Sequence, residues 1–168
     1  MTVHRGKKHN YLGMTLDFSK GGAFIVNMED YLKENTKTFP GDMHGTARIP
    51  AADHLFGVRD NAPKLNKERA EFSHRVVAQL LFVEQRGQPD LQTVVSFLTK
   101  RVQAPDEDDY KKLAWAIKYI QKMVFLRLTA EANYLDQNHW FIDDTFTVHP
   151  DTRSRTGTYM AFEKRNDR

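Results

Sequence analysis

The spacing of hydrophobic and polar residues changes twice along the chain and divides it into three regions. Near the start, strand-like runs at residues 11–18 and 23–28 carry apolar side chains at alternating positions. Residues 19–22 separate the two runs and contain two glycines, which supply the positive φ that a tight connection needs. This pattern predicts an N-terminal β-hairpin.

A short helix and a long loop are predicted next. Glu29 and Asp30 place acidic side chains in the first turn of the helix, where its dipole favours them, and Pro40 ends it. Residues 40–65 then show no sustained period and are interrupted by prolines and glycines. Because long structureless loops are uncommon in compact domains, this one is expected to be a functional linker or to cover a neighbour that the chain lacks.

Three helices with well-marked ends are predicted between residues 66 and 124. The first is bounded by Asn66, a suitable N-cap, and Gly87, a suitable residue after the last turn. The second runs from Pro89 to before Pro105, and the third follows the acidic run at 106–109. Their apolar residues recur three or four positions apart, which predicts a small helical unit: Phe72, Val76, Val77, Leu80, Leu81; Leu91, Val94, Val95, Leu98, Val102; Leu113, Ile117, Ile120, Val124.

The two-residue period returns after the helices. Residues 125–129, 140–142 and 158–162 are each predicted to form a strand. The fold class is therefore α+β, with an N-terminal β-hairpin, a central three-helix unit and C-terminal antiparallel strands. Two or three terminal strands are marginally stable unless something covers them.

Composition and charge exclude several classes of protein. The chain has no cysteine, which removes disulfides, zinc ribbons and thiol nucleophiles. No histidine pair has zinc-binding spacing on a helix, and neither a phosphate-binding glycine loop nor a Gly-x-Ser-x-Gly elbow is present. No apolar stretch is long enough to span a bilayer, so a cytoplasmic or nuclear protein without a membrane partner is expected. The net charge of +3 is concentrated at the two ends, where lysines and arginines suit contact with phosphate or simply with solvent.

Adjacent carboxylates at Asp143 and Asp144 are the clearest candidate for metal chemistry. They follow the apolar run at 140–142, and hard oxygen ligands of this kind suit Mg²⁺. Alternation along a strand predicts that the two point to opposite faces, so only one can join a given metal site without a bend. The acidic run at 106–109 could also bind a cation, although acids in a first helical turn usually serve the helix dipole.

Three motifs in a fixed order resemble the downstream part of a copia-type retrotransposon polyprotein. They are YLGMTLDF at 11–18, LLFVEQRGQPDLQTVVSFLTKRVQAPDEDDYKKL at 80–113 and WFIDDTFTVHPDTRSRTG at 140–157. The resemblance covers about residues 8–160. It implies that residues 1–45 are the end of a reverse transcriptase palm, with a primer-gripping hairpin and a short helix. It implies further that residues 46–124 are the thumb and connection, and that 125–168 begin an incomplete RNase H-like sheet.

The resemblance also implies site residues. Asp143 falls where the first metal-binding aspartate of the RNase H domain lies, whereas Asp144 stands where the family has a small residue. Leu12 and Gly13 would lie near a primer terminus, and a glycine there lets a nucleic acid backbone approach closely. A bulge in an ordinary hairpin is the alternative for Gly13.

Phosphate contacts are a further implication of the resemblance. The candidate residues are Lys7, Lys8, Lys100 and Arg101, with a solvated surface as the alternative for each. The chain departs from the family at Gln88, where arginine is common, and at Asp109 and Tyr110, where His-Trp is frequent. These departures are expected of a divergent or a decaying copy.

The implied parent activity is RNA-directed DNA synthesis with RNase H cleavage, dependent on Mg²⁺ and acting on an RNA/DNA hybrid or primer–template duplex. A polymerase aspartate pair should precede the YLGM motif, and FIDD follows it, so the polymerase aspartates are absent from this sequence. Later RNase H carboxylates are also absent, and the isolated chain is expected to be inactive. The missing upstream polymerase segment would be a partner, within the virus-like particle of a retroelement.

Two other interpretations stay open. The first is a non-catalytic nucleic-acid-binding remnant of a degenerate element, which the basic ends favour. The second is an open reading frame without a stable fold, because a sheet cut after a few strands leaves unpaired edges.

Overall fold

A computed structural model describes residues 5–37, 39, 44–131, 137–145 and 155–163. The elements in chain order are β1 Lys8–Tyr11, β2 Met14–Asp17, β3 Ala23–Asn27, α1 Glu29–Lys37, α2 Lys67–Glu84, a 3₁₀ turn Pro89–Leu91, α3 Gln92–Thr99, α4 Glu107–Met123, β4 Leu128–Glu131, β5 Gln137–Thr145 and β6 Arg155–Glu163. Strands β1 to β4 form an antiparallel sheet in sequence order, and β5 pairs with β6. The prediction of a mixed helix and antiparallel-sheet fold is confirmed.

The N-terminal hairpin exists, but residues 11–18 are not one strand. Tyr11 ends β1 and Met14 begins β2, and these two residues pair across a two-residue turn. Leu12 and Gly13 have φ of 49° and 77°, which is the type I′ geometry that matches the twist of a hairpin. The single-strand prediction was wrong because leucine rarely adopts a positive φ, so its sequence does not mark a turn.

Strand β4 begins at Leu128, later than predicted, and pairs with β3. Val26 lies opposite Leu128, and Ile25 lies opposite Thr129. The sequence places the run at 125–129 in the C-terminal region, yet its strand belongs to the first sheet. Local alternation identifies a strand but not its partner, which is why the boundary predicted at residue 125 divides this sheet.

One face of the sheet packs on the helices. Met14 and Val26 are buried there, and Leu16 and Leu128 pack against the same core. The first helix, α1, begins at the acidic pair Glu29 and Asp30, as predicted, and ends at Lys37; Pro40, which was predicted to end it, lies outside the described residues. The core thus lies between the sheet and the helical unit.

The three predicted helices are present, and local residues define their starts. The Asn66 side chain accepts a hydrogen bond from the Arg69 N–H at the start of α2. Asp106 forms a capping box with Asp109 at the start of α4. The second predicted helix is shorter than expected: a 3₁₀ turn leads into α3, which ends at Thr99, so Val102 lies beyond it.

Gly87 follows α2 for a reason other than the one expected. Its φ is not positive, so it is not a left-handed helix cap. A Cβ atom at this position would lie 2.7 Å from Sδ of Met28, which is 2% exposed. Gly87 therefore allows the end of α2 to approach the β3–α1 junction.

The long loop packs on α4 of the same chain. The indole Nε1–H of Trp115 donates to the Ile49 carbonyl at 3.0 Å, and Lys118 Nζ donates to the His44 carbonyl at 2.8 Å. Leu55 is buried in the core. Hydrogen bonds from these α4 side chains satisfy loop carbonyls and so hold the loop against the helix.

Candidate nucleic-acid interface

The hairpin tip projects two apolar side chains into solvent. Tyr11 and Leu12 are each 59% exposed, at the end of β1 and in the turn that follows. Beneath the turn lies Tyr31 of α1, and a Cβ on Gly13 would approach its Cδ2 atom to 2.8 Å. Gly13 is therefore required by the turn and by this packing, which gives it a structural reason beyond the bulge or nucleic acid approach inferred from sequence.

An aromatic stack connects the tip to the C-terminal end of α2. The rings of Tyr31 and Phe82 have centroids 5.3 Å apart, and the guanidinium of Arg86 lies 4.2 Å from the Phe82 centroid. Burial raises the pKa of the Tyr31 phenol. We call Tyr31, Phe82 and Arg86 the tip stack. Sequence reasoning missed it, although an aromatic residue and an arginine four positions apart at a helix end are a readable signal.

Lys7 and Lys8 lie at the other end of β1, away from the tip. Lys8 pairs with Asp17 across the strands, with Nζ 3.1 Å from the carboxylate. Hydrogen bonds from Ser19, with Lys8 adding to them, lower the pKa of Asp17 to about 2. Lys8 and Tyr11 are three residues apart along β1, or about 10 Å, so the lysines and the tip lie at opposite ends of the strand and do not form one site.

Arg101 and Lys100 are adjacent in sequence but differ in their contacts and exposure. The guanidinium of Arg101 donates to Asp109 at 3.0 Å and to Asp106 at 2.8 Å, and both carboxylates are buried. Nε and one terminal nitrogen are thus bound to buried carboxylates within the fold, which explains the conformation of Arg101 without any phosphate. Lys100 is exposed at the end of α3.

The acidic run at 106–109 is a structural cluster. Burial disfavours the charged form of Asp106, yet the Asp109 N–H, Arg101 and Lys64 outweigh it and hold its pKa below the usual range. Arg69 of α2 binds Glu107 through both terminal nitrogens. The helix-dipole interpretation fits this arrangement, because each of these acids has a partner inside the protein.

Asp143 and Asp144 lie in β5 and are paired regularly with Gly157 and Thr156 of β6. Regular pairing without a bulge places them on opposite faces, as alternation predicts. Asp144 accepts a hydrogen bond from the Thr156 hydroxyl at 3.0 Å. Much of the third motif, residues 146–154, lies outside the described residues.

A magnesium site is not assembled by the side chains that the structure describes. Within those residues, no three His, Asp or Glu side chains converge to hold a metal ion. Two-metal phosphate chemistry needs several carboxylates around ions about 4 Å apart. Asp143 alone does not fit that requirement, and no chemical step through a metal follows from this arrangement.

Over the described ranges, no helix combines the length and the apolarity needed to cross a membrane. No family model, curated protein or solved structure matches the chain.

Proposed function

We propose that the chain is part of a copia-type reverse transcriptase, carrying the primer-gripping hairpin, the thumb and connection helices and the first RNase H strands. By itself it binds primer–template duplex and performs neither DNA synthesis nor RNA cleavage. The order of the three sequence motifs supports the family. The geometry of the hairpin tip supports the binding role.

The observation that carries the binding role is the conformation of Leu12. Among the described residues, Leu12 is the one non-glycine residue with a positive φ, and its apolar side chain is exposed. Left-handed backbone costs a leucine roughly 1–2 kcal/mol, and asparagine would suit the turn better. A strained residue with an exposed side chain is typical of a functional position, because neither packing nor turn formation requires it.

The tip stack links a cation to the turn that contains Leu12, through Phe82 and through Tyr31 beneath Gly13. Arg86 is half-buried, and its guanidinium lies over the ring of Phe82, which also contacts Tyr31. A stacked guanidinium is held in place and still presents N–H donors to a phosphate. The apolar side chains of the tip would contact sugars and base edges, and the arginine would contact the phosphate backbone. This combination suits binding to the end of a duplex.

The C-terminal strands are compatible with the same family. Asp143 lies inside an antiparallel pair, opposite Gly157, on an apolar strand. Trp140 and Ile142 of that strand are 60% and 67% exposed, which suits strands that a larger sheet would cover.

Duplex affinity of the full 168-residue chain tests the proposal, measured by fluorescence anisotropy with a labelled RNA/DNA primer–template. Leu12→Asn is the sharpest variant, because it relieves the backbone strain while it removes the apolar tip. It is expected to unfold at higher urea yet bind duplex about fivefold more weakly. Equal or tighter binding by this variant would remove the role assigned to the tip.

Arg86→Ala and Arg75→Ala form a matched pair. Both arginines belong to the α2 region and stack on a phenylalanine, since Arg75 lies 5.2 Å from the Phe72 centroid. Arg86→Ala is expected to reduce the slope of log affinity against log salt by about one, and Arg75→Ala is expected to leave it unchanged. Equal losses in both variants would indicate general charge and not an interface at the tip.

Activity of the same chain is measured separately. Labelled deoxynucleotide should not be incorporated in the presence of Mg²⁺. Incorporation that a chelator abolishes would contradict the inactive state while leaving the family assignment in place.

A further inference from the structure

A pocket of about 380 Å³ lies between the long loop and the first turns of α4. The loop contributes His54, Gly57 and Arg59, and the helix contributes Asp108, Lys111 and Lys112. Its volume accommodates a tetrahedral oxyanion together with water. The pocket is separate from the tip stack, which lies at the other end of the helical unit.

That separation follows from the parallel course of α2 and α4. Their first turns are joined by Arg69 and Glu107, and the Gln88 amide, four residues beyond the end of α2, donates to the carbonyl of Met123 at the end of α4. Arg86 lies 17 positions after Arg69, so a helical rise puts the two ends roughly 25 Å apart.

The pocket carries more positive than negative charge. Arg59 binds Asp108 through Nε and a terminal nitrogen, and Lys111 Nζ lies 3.8 Å from the same carboxylate. One carboxylate is thus shared by two cations, and Lys112 brings a third. The neighbouring carboxylates do not offset this excess, because Arg101 binds both Asp106 and Asp109, and Lys64 lies 3.6 Å from Asp106.

Lys112 is the unusual member of the group. It is 5% exposed, its Nζ donates to the Gly57 carbonyl at 2.5 Å, and it lies 4.5 Å from the Phe97 ring centroid. Burial lowers the pKa of its ammonium group, which the Asp109 charge partly opposes. A buried ammonium gains more from a nearby anion than an exposed one does, because the surroundings screen the interaction less.

The three cations differ in exposure. The Lys111 side chain is 72% exposed, and Arg59, which is exposed too, binds Asp108 through Nε and one terminal nitrogen, so its second terminal nitrogen is left to donate to a ligand. Lys112 is fixed by its carbonyl and ring contacts. Exposed donors around a fixed positive charge are a suitable arrangement for capturing an oxyanion.

We propose that this pocket binds a phosphate group, either from a nucleic acid backbone or as free phosphate. Arg59 and Lys111 would donate to the oxygens, and Lys112 would contribute its charge from behind. The proposal does not rest on the primer-binding role, since the two sites lie at opposite ends of the helices and each has its own variants.

Inorganic phosphate is the first probe, titrated into the full chain at constant ionic strength and followed by amide NMR shifts. The expected result is saturable shifts at residues 57–59 and 111–112. Absence of such shifts up to tens of millimolar phosphate would overturn the proposal.

Lys111→Gln and Lys122→Gln provide the matched comparison, because both lysines are exposed on α4 and Lys122 lies in its last turn. Lys111→Gln is expected to weaken phosphate binding about fivefold, and Lys122→Gln to leave it unchanged. Equal weakening would show that the response is nonspecific and would also overturn the site. Circular dichroism establishes that both variants remain folded.

A short oligonucleotide without terminal phosphates distinguishes the two sources. If it displaces phosphate from the pocket, the backbone is the ligand. If phosphate binds and the oligonucleotide does not compete, the pocket serves free phosphate. Duplex affinity of Arg86→Ala is read independently, so failure at one site does not imply failure at the other.

Discussion

Tyr31 lies directly beneath Gly13, where a Cβ atom would stand only 2.8 Å from its Cδ2. The glycine also has a φ of 77°, so backbone strain and steric contact both oppose any side chain. These two costs can be separated, because Gly22 has nearly the same φ of 76° with no atom near its Cβ position.

Gly13→Ala is expected to lower the free energy of unfolding by about 2–3 kcal/mol, from strain plus the clash with Tyr31. Gly22→Ala should cost only about 1 kcal/mol, from strain alone. Gly21→Ala should lie within about 0.5 kcal/mol of the parent, since it has neither problem. Urea unfolding followed by circular dichroism measures all three; equal effects at positions 13 and 22 would show that Tyr31 moves aside freely.

Gly87→Ala is expected to cost about 1–3 kcal/mol through overpacking against Met28. Backbone strain does not contribute, because the φ of Gly87 is not positive. A double-mutant cycle with Met28→Ala measures the contact directly. The loss caused by Gly87→Ala should shrink once the methionine is removed, and an unchanged loss would place the clash elsewhere.

Asp106→Asn is expected to weaken the protein at neutral pH and to have little effect in acid. The pKa of Asp106 is below its unfolded value of 3.8 despite burial, because the Asp109 N–H, Arg101 and Lys64 favour the carboxylate. Its contribution is therefore fully present above pH 3.8 and is lost as the pH falls from there through the lower folded pKa.

At pH 7 the loss should be roughly 1–3 kcal/mol, since the partly buried guanidinium of Arg101 loses one of its two carboxylate partners. Urea unfolding between pH 2 and pH 7 tests this. Asp60→Asn serves as the exposed control and should leave the pH profile unchanged. A constant difference between Asp106→Asn and the parent at every pH would contradict the charge-based explanation.

Trp115→Phe should loosen the long loop without unfolding α4. The substitution removes the hydrogen bond from Nε1 to the Ile49 carbonyl, which costs about 1 kcal/mol. Hydrogen exchange measured by mass spectrometry should accelerate for peptides covering residues 44–58. Trp140→Phe, on β5, should leave those peptides unchanged; acceleration in both variants would point to a global effect.

Those elements whose signals are local could be predicted from the sequence. Asn66 and Asp106 mark the starts of α2 and α4 through side-chain bonds to residues three positions away. Apolar spacing then identifies the buried face of each helix. Each of these signals lies within one turn or one helix.

What the sequence did not indicate depends on distant partners. The run at 125–129 gives no sign that its strand pairs with β3. The loop sequence likewise gives no sign that Trp115 and Lys118 donate hydrogen bonds to its carbonyls. Lys112 stands one position before the buried Leu113 on α4, where a lysine interrupts an apolar stripe. That interruption is a signal, yet only the fold brings Arg59 beside it.

Because β3 pairs with the distant strand β4, one edge of β3 is unpaired during much of translation. Strands β1, β2 and β3 can form by local turns as soon as they are made. Until Leu128 has been synthesised, however, β3 has open N–H and C=O groups along the edge that β4 later occupies. An open strand edge is a template for pairing with other chains, so the nascent protein is most prone to aggregation while its helices are being completed.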